Sequence, residues 1–149
     1  MTCYFLESSA FAKLFIFEQG SELLIKELET VDDPQKLVSS LASLEVRSAI
    51  RRREREGDIS LAGAAQALTA LDAEIRRIVE QPVSPSVIDV AKLVLDAHSL
   101  RAMDALHLAT CIVMRDTLQM SDICFTSADD ALLKAAKSEQ FSVLNPLLL

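Results

Sequence analysis

Four acidic side chains stand far apart in the sequence at places where an α/β fold could bring them together. They are Glu7, Glu45, Asp104 and Asp129. Each follows a predicted strand or lies in the first turns of a predicted helix, and the carboxyl ends of strands form the ligand crevice of open α/β sheets. Carboxylates are costly to bury without a cation, and their oxygens are the ligands that Mg²⁺ prefers. The pattern predicts a divalent metal site of the kind that cleaves phosphodiester bonds.

The elements that must position these acids are short apolar strands alternating with amphipathic helices. Strands are predicted at 3–6, 36–39, 123–126 and 141–144. Helices are predicted after Glu7, at 21–28, from Ser40 to near Gly57, from Asp58 or Ser60 to Val79, at 85–97, from Asp104, and at 129–136. This alternation predicts an α/β fold, a short, mostly parallel sheet of four or five strands with helices on both faces. We expect a single domain across residues 1–149.

Periodicity also predicts which helix faces are buried. Ser8 or Ser9 is expected to cap the first helix, which should bury Phe11, Leu14, Phe15 and Phe17. The second helix should bury Leu23, Leu24, Ile25 and Leu28, and the fourth Ala64, Leu68, Leu71, Ile75, Ile78 and Val79. Ser40 should cap the third helix, and Ser84 should cap the helix that Pro85 opens.

Each acid also has a structural interpretation. Glu45 falls within the apolar arc of its helix, where an arginine or a backbone amide could satisfy it. Asp104 could stabilise a helix dipole, and Asp129 could cap the last helix. The hypothesis of a metal site depends on these acids lying together at one edge of the predicted sheet.

Composition narrows the classes of function. The net charge of −7 and pI of about 4.8 leave no overall cationic field, so a nucleic acid must be held by a local patch, a metal or a second subunit. Three glycines form neither a Walker loop nor a dinucleotide fingerprint. Three scattered cysteines argue against a disulfide framework, and no apolar run is long enough for a membrane span. We expect a cytoplasmic protein.

Four segments carry a family resemblance. They read YFLESSA from Tyr4, SSLASLEVRSA from Ser39, LRAMDALHLA from Leu100 and FTSAD from Phe125. In order, they resemble the four signature blocks of PIN-domain nucleases, most closely the VapC toxins of toxin–antitoxin pairs. The resemblance implies a PIN-like three-layer fold and an endoribonuclease that uses Mg²⁺ or Mn²⁺. It also implies an antitoxin protein as partner, a homodimer, and Glu7, Glu45, Asp104 and Asp129 as catalytic metal ligands.

One residue departs from the family pattern. The first acid is normally aspartate, and this chain has Glu7, whose extra methylene adds reach in a site where Mg²⁺ tolerates little deviation from octahedral geometry. Either the backbone recedes or the site is weakened. By the same resemblance Ser9 adds a hydroxyl near the metal, unless it acts as a helix cap.

Two arginines are candidates for substrate binding. Arg52 lies seven residues after Glu45, on the same helix face, and could meet a phosphate; a solvated helix end within the run Arg51 to Arg55 is the alternative. Arg101 could contact phosphate or pair with a carboxylate. His107, one turn from Asp104, is more typical of a satisfied core histidine than of a Mg²⁺ ligand.

The sequence thus predicts an enzyme that cleaves RNA through an activated water. One alternative is a catalytically degenerate PIN scaffold that binds protein or RNA. A second is a phosphate-accepting receiver domain, although its paired acids and late lysine are not evident.

Overall fold

The computed structural model describes residues 2–148 as one parallel sheet between two layers of helices. Strands β1 (Cys3–Leu6), β2 (Gln35–Ser39), β3 (Val79–Gln81), β4 (Ile123–Thr126) and β5 (Ser142–Leu144) lie in the order β3-β2-β1-β4-β5. Every neighbouring pair is parallel. The α/β fold predicted from the sequence is confirmed.

Seven α-helices connect the strands of the described chain. They are α1 (Ser8–Phe11), which continues as a 3₁₀ turn at Ala12–Leu14, α2 (Ser21–Glu29), α3 (Ser40–Arg55), α4 (Leu61–Ile75), α5 (Pro85–Ala97), α6 (Ala102–Leu118) and α7 (Asp130–Ser138). Gly57 has a φ of 81° just beyond α3, as expected of a residue that ends a helix. Ser84 caps α5 through Val87 N, with Pro85 at the first helical position.

Alternate residues of the strands supply two hydrophobic cores. Cys3, Phe5 and Phe125 face α5, α6 and α7, and the rings of Phe5 and Phe125 stack 5.3 Å apart. Tyr4 and Leu6 face the opposite layer, built from α1 to α4. Because both faces of the sheet are covered, the central strands are apolar throughout rather than alternating with polar residues.

Three sequence predictions about these elements are wrong. The fourth helix ends at Ile75, and Val79 begins strand β3, where it pairs with Leu37 of β2. Phe17 is 80% exposed because the first helix ends before it. Leu23 and Ile25 are also exposed, so α2 buries a narrower stripe that contains Leu24 and Leu28.

Several caps and boundaries also differ from the prediction. Glu7, not Ser8 or Ser9, caps the first helix, and Ser39 rather than Ser40 caps α3 by accepting from Leu41 N. Helix α6 begins at Ala102, two residues before Asp104. No helix within residues 2–148 is both long and apolar enough to span a lipid bilayer.

Candidate active site

The predicted acids gather at the carboxyl edge of the sheet, where the strand order reverses. The chain runs from β1 outward through β2 and β3, then returns to place β4 on the other side of β1. Such a reversal opens a crevice beyond the strand ends. Glu7 directly follows β1, and Asp129 follows β4. Glu45 lies on α3, which begins where β2 ends, and Asp104 lies in the first turn of α6.

Glu7 is 6% exposed and is held by serines from two loops. Its Oε2 accepts hydrogen bonds from Ser9 N at 3.1 Å, Ser9 Oγ at 2.5 Å and Ser127 Oγ at 2.8 Å. Glutamate is an uncommon helix cap, and here the extra methylene lets one carboxylate oxygen cap α1 and also reach the loop after β4. The side chain therefore joins the ends of β1 and β4.

The same two serines position the start of α7. Ser9 Oγ accepts from Ala128 N at 3.0 Å, and Ser127 Oγ accepts from Asp129 N at 3.0 Å. Ser127 was missed by sequence reasoning; the signal was a small polar residue directly after a buried strand, next to a candidate acid. The hydroxyl of Ser9 is committed to Glu7 and Ala128, which makes it a structural link between the two loops.

Glu45 is held by two side chains that lie far from it in sequence. Its Oε1 accepts from Ser8 Oγ at 2.7 Å and meets His107 Nε2 at 2.6 Å. Burial raises the pKa of Glu45, but the hydrogen bonds from His107 and Ser8 and the charge of His107 outweigh it, so the pKa lies below its ordinary value. The side chain is one third exposed, so it is less buried than the helix periodicity predicted.

His107 belongs to the site rather than to a satisfied core. It is 1% exposed, and its Nδ1 is a buried atom with no hydrogen-bond partner within residues 2–148. Its Nε2 meets both Glu45 and, at 3.1 Å, Ser8 Oγ. Spacing from Asp104 could not reveal the contact with Glu45, which lies 62 residues away.

The Ser8, His107 and Glu45 side chains do not form a nucleophilic triad. In that arrangement the serine and the acid bond to opposite nitrogens of the imidazole. Here both meet Nε2, and Nδ1 has no partner. The hydroxyl of Ser8 also donates to Glu45 instead of presenting itself to a substrate. The geometry supports a role for Ser8 and His107 in holding Glu45.

Asp104 lies close enough to two of the other acids to be affected by their charge. Burial, followed by the charges of Asp129 and Glu45, raises its pKa, while His107 and Arg101 oppose the shift. Asp129 is exposed and caps α7, with its Oδ1 accepting from Leu132 N at 2.9 Å. Asp104 is therefore close enough to Asp129 and to Glu45 to be repelled by both, a condition that a bound cation relieves.

The donor chemistry of the pocket fits a hard divalent cation. All four candidates offer carboxylate oxygens, and several carry one oxygen that no described residue bonds, such as Oε1 of Glu7 and Oε2 of Glu45. In residues 2–148, however, no three acidic, histidine or cysteine side chains are close enough to form a ready ligand cluster. A cation there must draw the carboxylates together.

A depression of about 380 Å³ opens beside Glu7 and Glu45 and has a basic wall. Arg52 and Arg53 line it, together with Lys13. Arg53 is paired with Glu18 at 2.6 Å, as is Lys13 at 3.6 Å. Arg52 is exposed and forms no ion pair with any residue in the described range. Of the arginine run on α3, Arg52 is thus the side chain placed to meet an anion.

Comparison with known proteins gives a family match and several fold matches. The model of the PIN domain matches residues 4–138. A search of curated proteins finds no match. A toxin–antitoxin complex from Klebsiella pneumoniae has a chain that is 13% identical with a TM-score of 0.66, over 96% of this chain and 97% of that one.

Two further solved structures have the same fold. PAE2754 from Pyrobaculum aerophilum is 17% identical with a TM-score of 0.63, over 97% of this chain and 90% of that one. VapC20 from Mycobacterium tuberculosis, described as a toxin that cleaves the sarcin–ricin loop, is 19% identical with a TM-score of 0.61, over 89% and 94%. At these identities the structural matches show a shared fold.

Proposed function

Because the chain belongs to the PIN domain family, we propose that it is a Mg²⁺- or Mn²⁺-dependent endoribonuclease, the toxin of a toxin–antitoxin pair. The observation that carries the proposal is that Glu45 and Asp129 lie near Asp104 beside the switch point between β1 and β4, where burial and then the charges of Asp129 and Glu45 raise the pKa of Asp104. Glu7, Glu45, Asp104 and Asp129 would hold the cation.

The proposal assigns a role to the cation and to each residue around it. When bound, the cation would act as a Lewis acid, with the chemistry needed to activate a water and to offset charge on the scissile phosphate. Glu7 and Glu45 would each offer the cation one oxygen, while serine and histidine side chains hydrogen-bond to the other oxygen. Asp129 is fixed by its capping bond, and Arg101, beside Asp104, is a second candidate for phosphate contact.

Proteins of the same fold support the partners that we propose. The Klebsiella pneumoniae structure is a toxin–antitoxin complex, and VapBC2 from Rickettsia felis was solved bound to a DNA fragment from its promoter. We propose an antitoxin protein as partner here, a homodimer as the assembly, and the cytoplasm as the place of action. Copurification with the product of a neighbouring small gene tests the antitoxin.

A catalytically degenerate PIN scaffold remains the second candidate, and one observation favours it. Glu7 replaces the family aspartate, and its Oε2 is fully engaged by Ser9 and Ser127. Intact folding with no RNA cleavage and no cation binding would support this candidate.

Divalent cations are expected to stabilise the protein. Binding to the folded state alone adds about 2.7 kcal/mol at a hundredfold excess over the dissociation constant. Thermal melts of metal-stripped protein in Mg²⁺, Mn²⁺ and EDTA measure this effect. A midpoint in millimolar Mn²⁺ equal to that in EDTA would contradict cation binding.

Arg52→Gln is expected to weaken RNA binding about threefold at low salt and to reduce the salt slope by about one, because one phosphate contact is lost. Arg55→Gln is the matched control, since Arg55 lies on the same helix and is exposed but does not line the depression. Binding of a fluorescent single-stranded RNA in EDTA measures both variants. Equal losses of RNA affinity in the two variants would show that Arg52 contributes only to the general surface charge and contradict a specific phosphate contact.

A further inference from the structure

The two glutamates of the site each have one saturated oxygen. A carboxylate offers about four lone-pair positions, two on each oxygen. Oε2 of Glu7 takes three donors, from Ser9 N, Ser9 Oγ and Ser127 Oγ. Oε1 of Glu45 takes Ser8 Oγ and His107 Nε2. In each glutamate one oxygen is therefore fully used by the protein, and the other is available to a ligand.

Hydrogen-bond directions on the Glu45 side follow from the chemistry of the groups. An ionised carboxylate can only accept, so the hydroxyl hydrogen of Ser8 and a proton on His107 Nε2 both point to Oε1. Nε2–H also has Ser8 Oγ within 3.1 Å as a second acceptor. His107 is 1% exposed on α6, so its ring has little freedom to turn away. Glu45 is thus held by two elements besides its own helix.

We propose that the pocket selects small octahedral cations over Ca²⁺, because one oxygen of Glu7 and one oxygen of Glu45 are fully hydrogen-bonded within the protein. The inference rests on the proposed function, because it concerns the cation of that site. Mg²⁺ needs six ligands, keeps several waters and takes one oxygen from each carboxylate, whereas Ca²⁺ takes six to eight oxygens and often both oxygens of one carboxylate. With one oxygen saturated, Glu7 and Glu45 can each give a cation a single oxygen. Ser8 and His107 are the positioning residues that enforce this on Glu45.

The test is cation binding rather than cleavage. Isothermal titration of metal-stripped, full-length protein with Mn²⁺, Mg²⁺ and Ca²⁺ gives the ratio of the Ca²⁺ to the Mn²⁺ dissociation constant. Wild type should bind Ca²⁺ at least about tenfold more weakly than Mn²⁺. The double variant Ser8→Ala with His107→Leu frees Oε1 of Glu45, and the ratio should fall by about fivefold. His107→Gln, whose amide nitrogen can donate from the position of Nε2, should stay within about twofold of wild type.

A matched control and single variants keep the test decisive. His98 meets Glu139 at 3.1 Å away from the pocket, so His98→Leu should leave the ratio unchanged. Melts in EDTA show which variants fold, and Ser8→Ala alone should move the ratio in the same direction if the double variant does not fold. Equal Ca²⁺ and Mn²⁺ affinities in wild type, or an unchanged ratio when Oε1 is freed, would overturn the inference.

The outcomes separate this inference from the proposed function. Cation discrimination without cleavage of any RNA would support the inference and refute the nuclease. Cleavage of RNA by a protein that binds Ca²⁺ as tightly as Mn²⁺ would support the nuclease and refute the inference.

Discussion

Asp104→Asn is expected to lose RNA cleavage by at least about 100-fold in Mn²⁺ while keeping its fold. The amide preserves the shape of the side chain at the start of α6 but removes a negative charge from the pocket. Single-turnover cleavage of a labelled RNA, with wild type and variant at equal concentration, measures the loss.

The same variant should be as stable as wild type, or more stable, in EDTA at pH 7. Burial and the charges of Asp129 and Glu45 raise the pKa of Asp104 in the folded protein. A raised pKa means that the folded state binds the proton more tightly than the unfolded state, so stability falls as pH rises through the folded-state pKa. Asparagine removes that penalty at neutral pH, and the advantage should vanish below the ordinary pKa of aspartate.

Asp116→Asn is the control for this experiment. Asp116 lies on the same helix, and its side chain is 72% exposed beside Arg115. It should retain full cleavage and show no such pH-dependent gain in stability. Wild-type cleavage by Asp104→Asn would remove Asp104 from the site.

Glu7→Ala is expected to cost about 3 kcal/mol of unfolding free energy, because it strips three donors of their shared, buried acceptor. Ser9 and Ser127 would lose the carboxylate that joins the loops after β1 and β4. Urea unfolding monitored by circular dichroism gives the change. A loss below about 1 kcal/mol would mean that the serines find other partners.

Glu7→Asp and Glu7→Gln distinguish the structural role of Glu7 from its proposed role as a metal ligand. Glu7→Asp should cleave less than wild type, because a carboxylate one methylene shorter can cap α1 but reaches Ser127 less well. Glu7→Gln keeps the length and loses the charge, so it should fold better than Glu7→Ala while cleavage falls. Equal cleavage by all variants would show that Glu7 is no ligand; faster cleavage by Glu7→Asp would show that glutamate holds the site off its best geometry.

The sequence predicted the sheet well where burial is complete. Cys3–Leu6 and Ile123–Thr126 are apolar runs between turn residues, and both are central strands. Strand β3 was missed because it is short and largely exposed, and because Val79, its single apolar residue, continues the apolar period of α4. Its pairing with β2 is a tertiary contact that local periodicity cannot reveal.

The acidic residues of the candidate site could be predicted from the sequence, but the residues that hydrogen-bond to them could not. Glu7 follows β1 and Asp129 follows β4, so the strand order alone predicts that these two acids lie at one edge of the sheet. The contact of His107 with Glu45 spans 62 residues, and that of Ser127 with Glu7 spans 120. Neither pair has a periodic or spacing signal. The resemblance to the family predicted the four acids. The residues that hydrogen-bond to Glu7 and Glu45 are brought to them by tertiary packing, so only the folded structure reveals them.

One measurement tests the central claim most directly: analysis of the RNA ends that wild-type protein produces in Mn²⁺ and in EDTA. Attack by an activated water needs no 2′-hydroxyl, so the account predicts cleavage in Mn²⁺ alone, products without a 2′,3′-cyclic phosphate, and cleavage that survives a 2′-deoxy substitution at the cut site. Asp104→Asn should give none of these products. Cleavage that persists in EDTA, or that leaves a cyclic phosphate, would contradict the account.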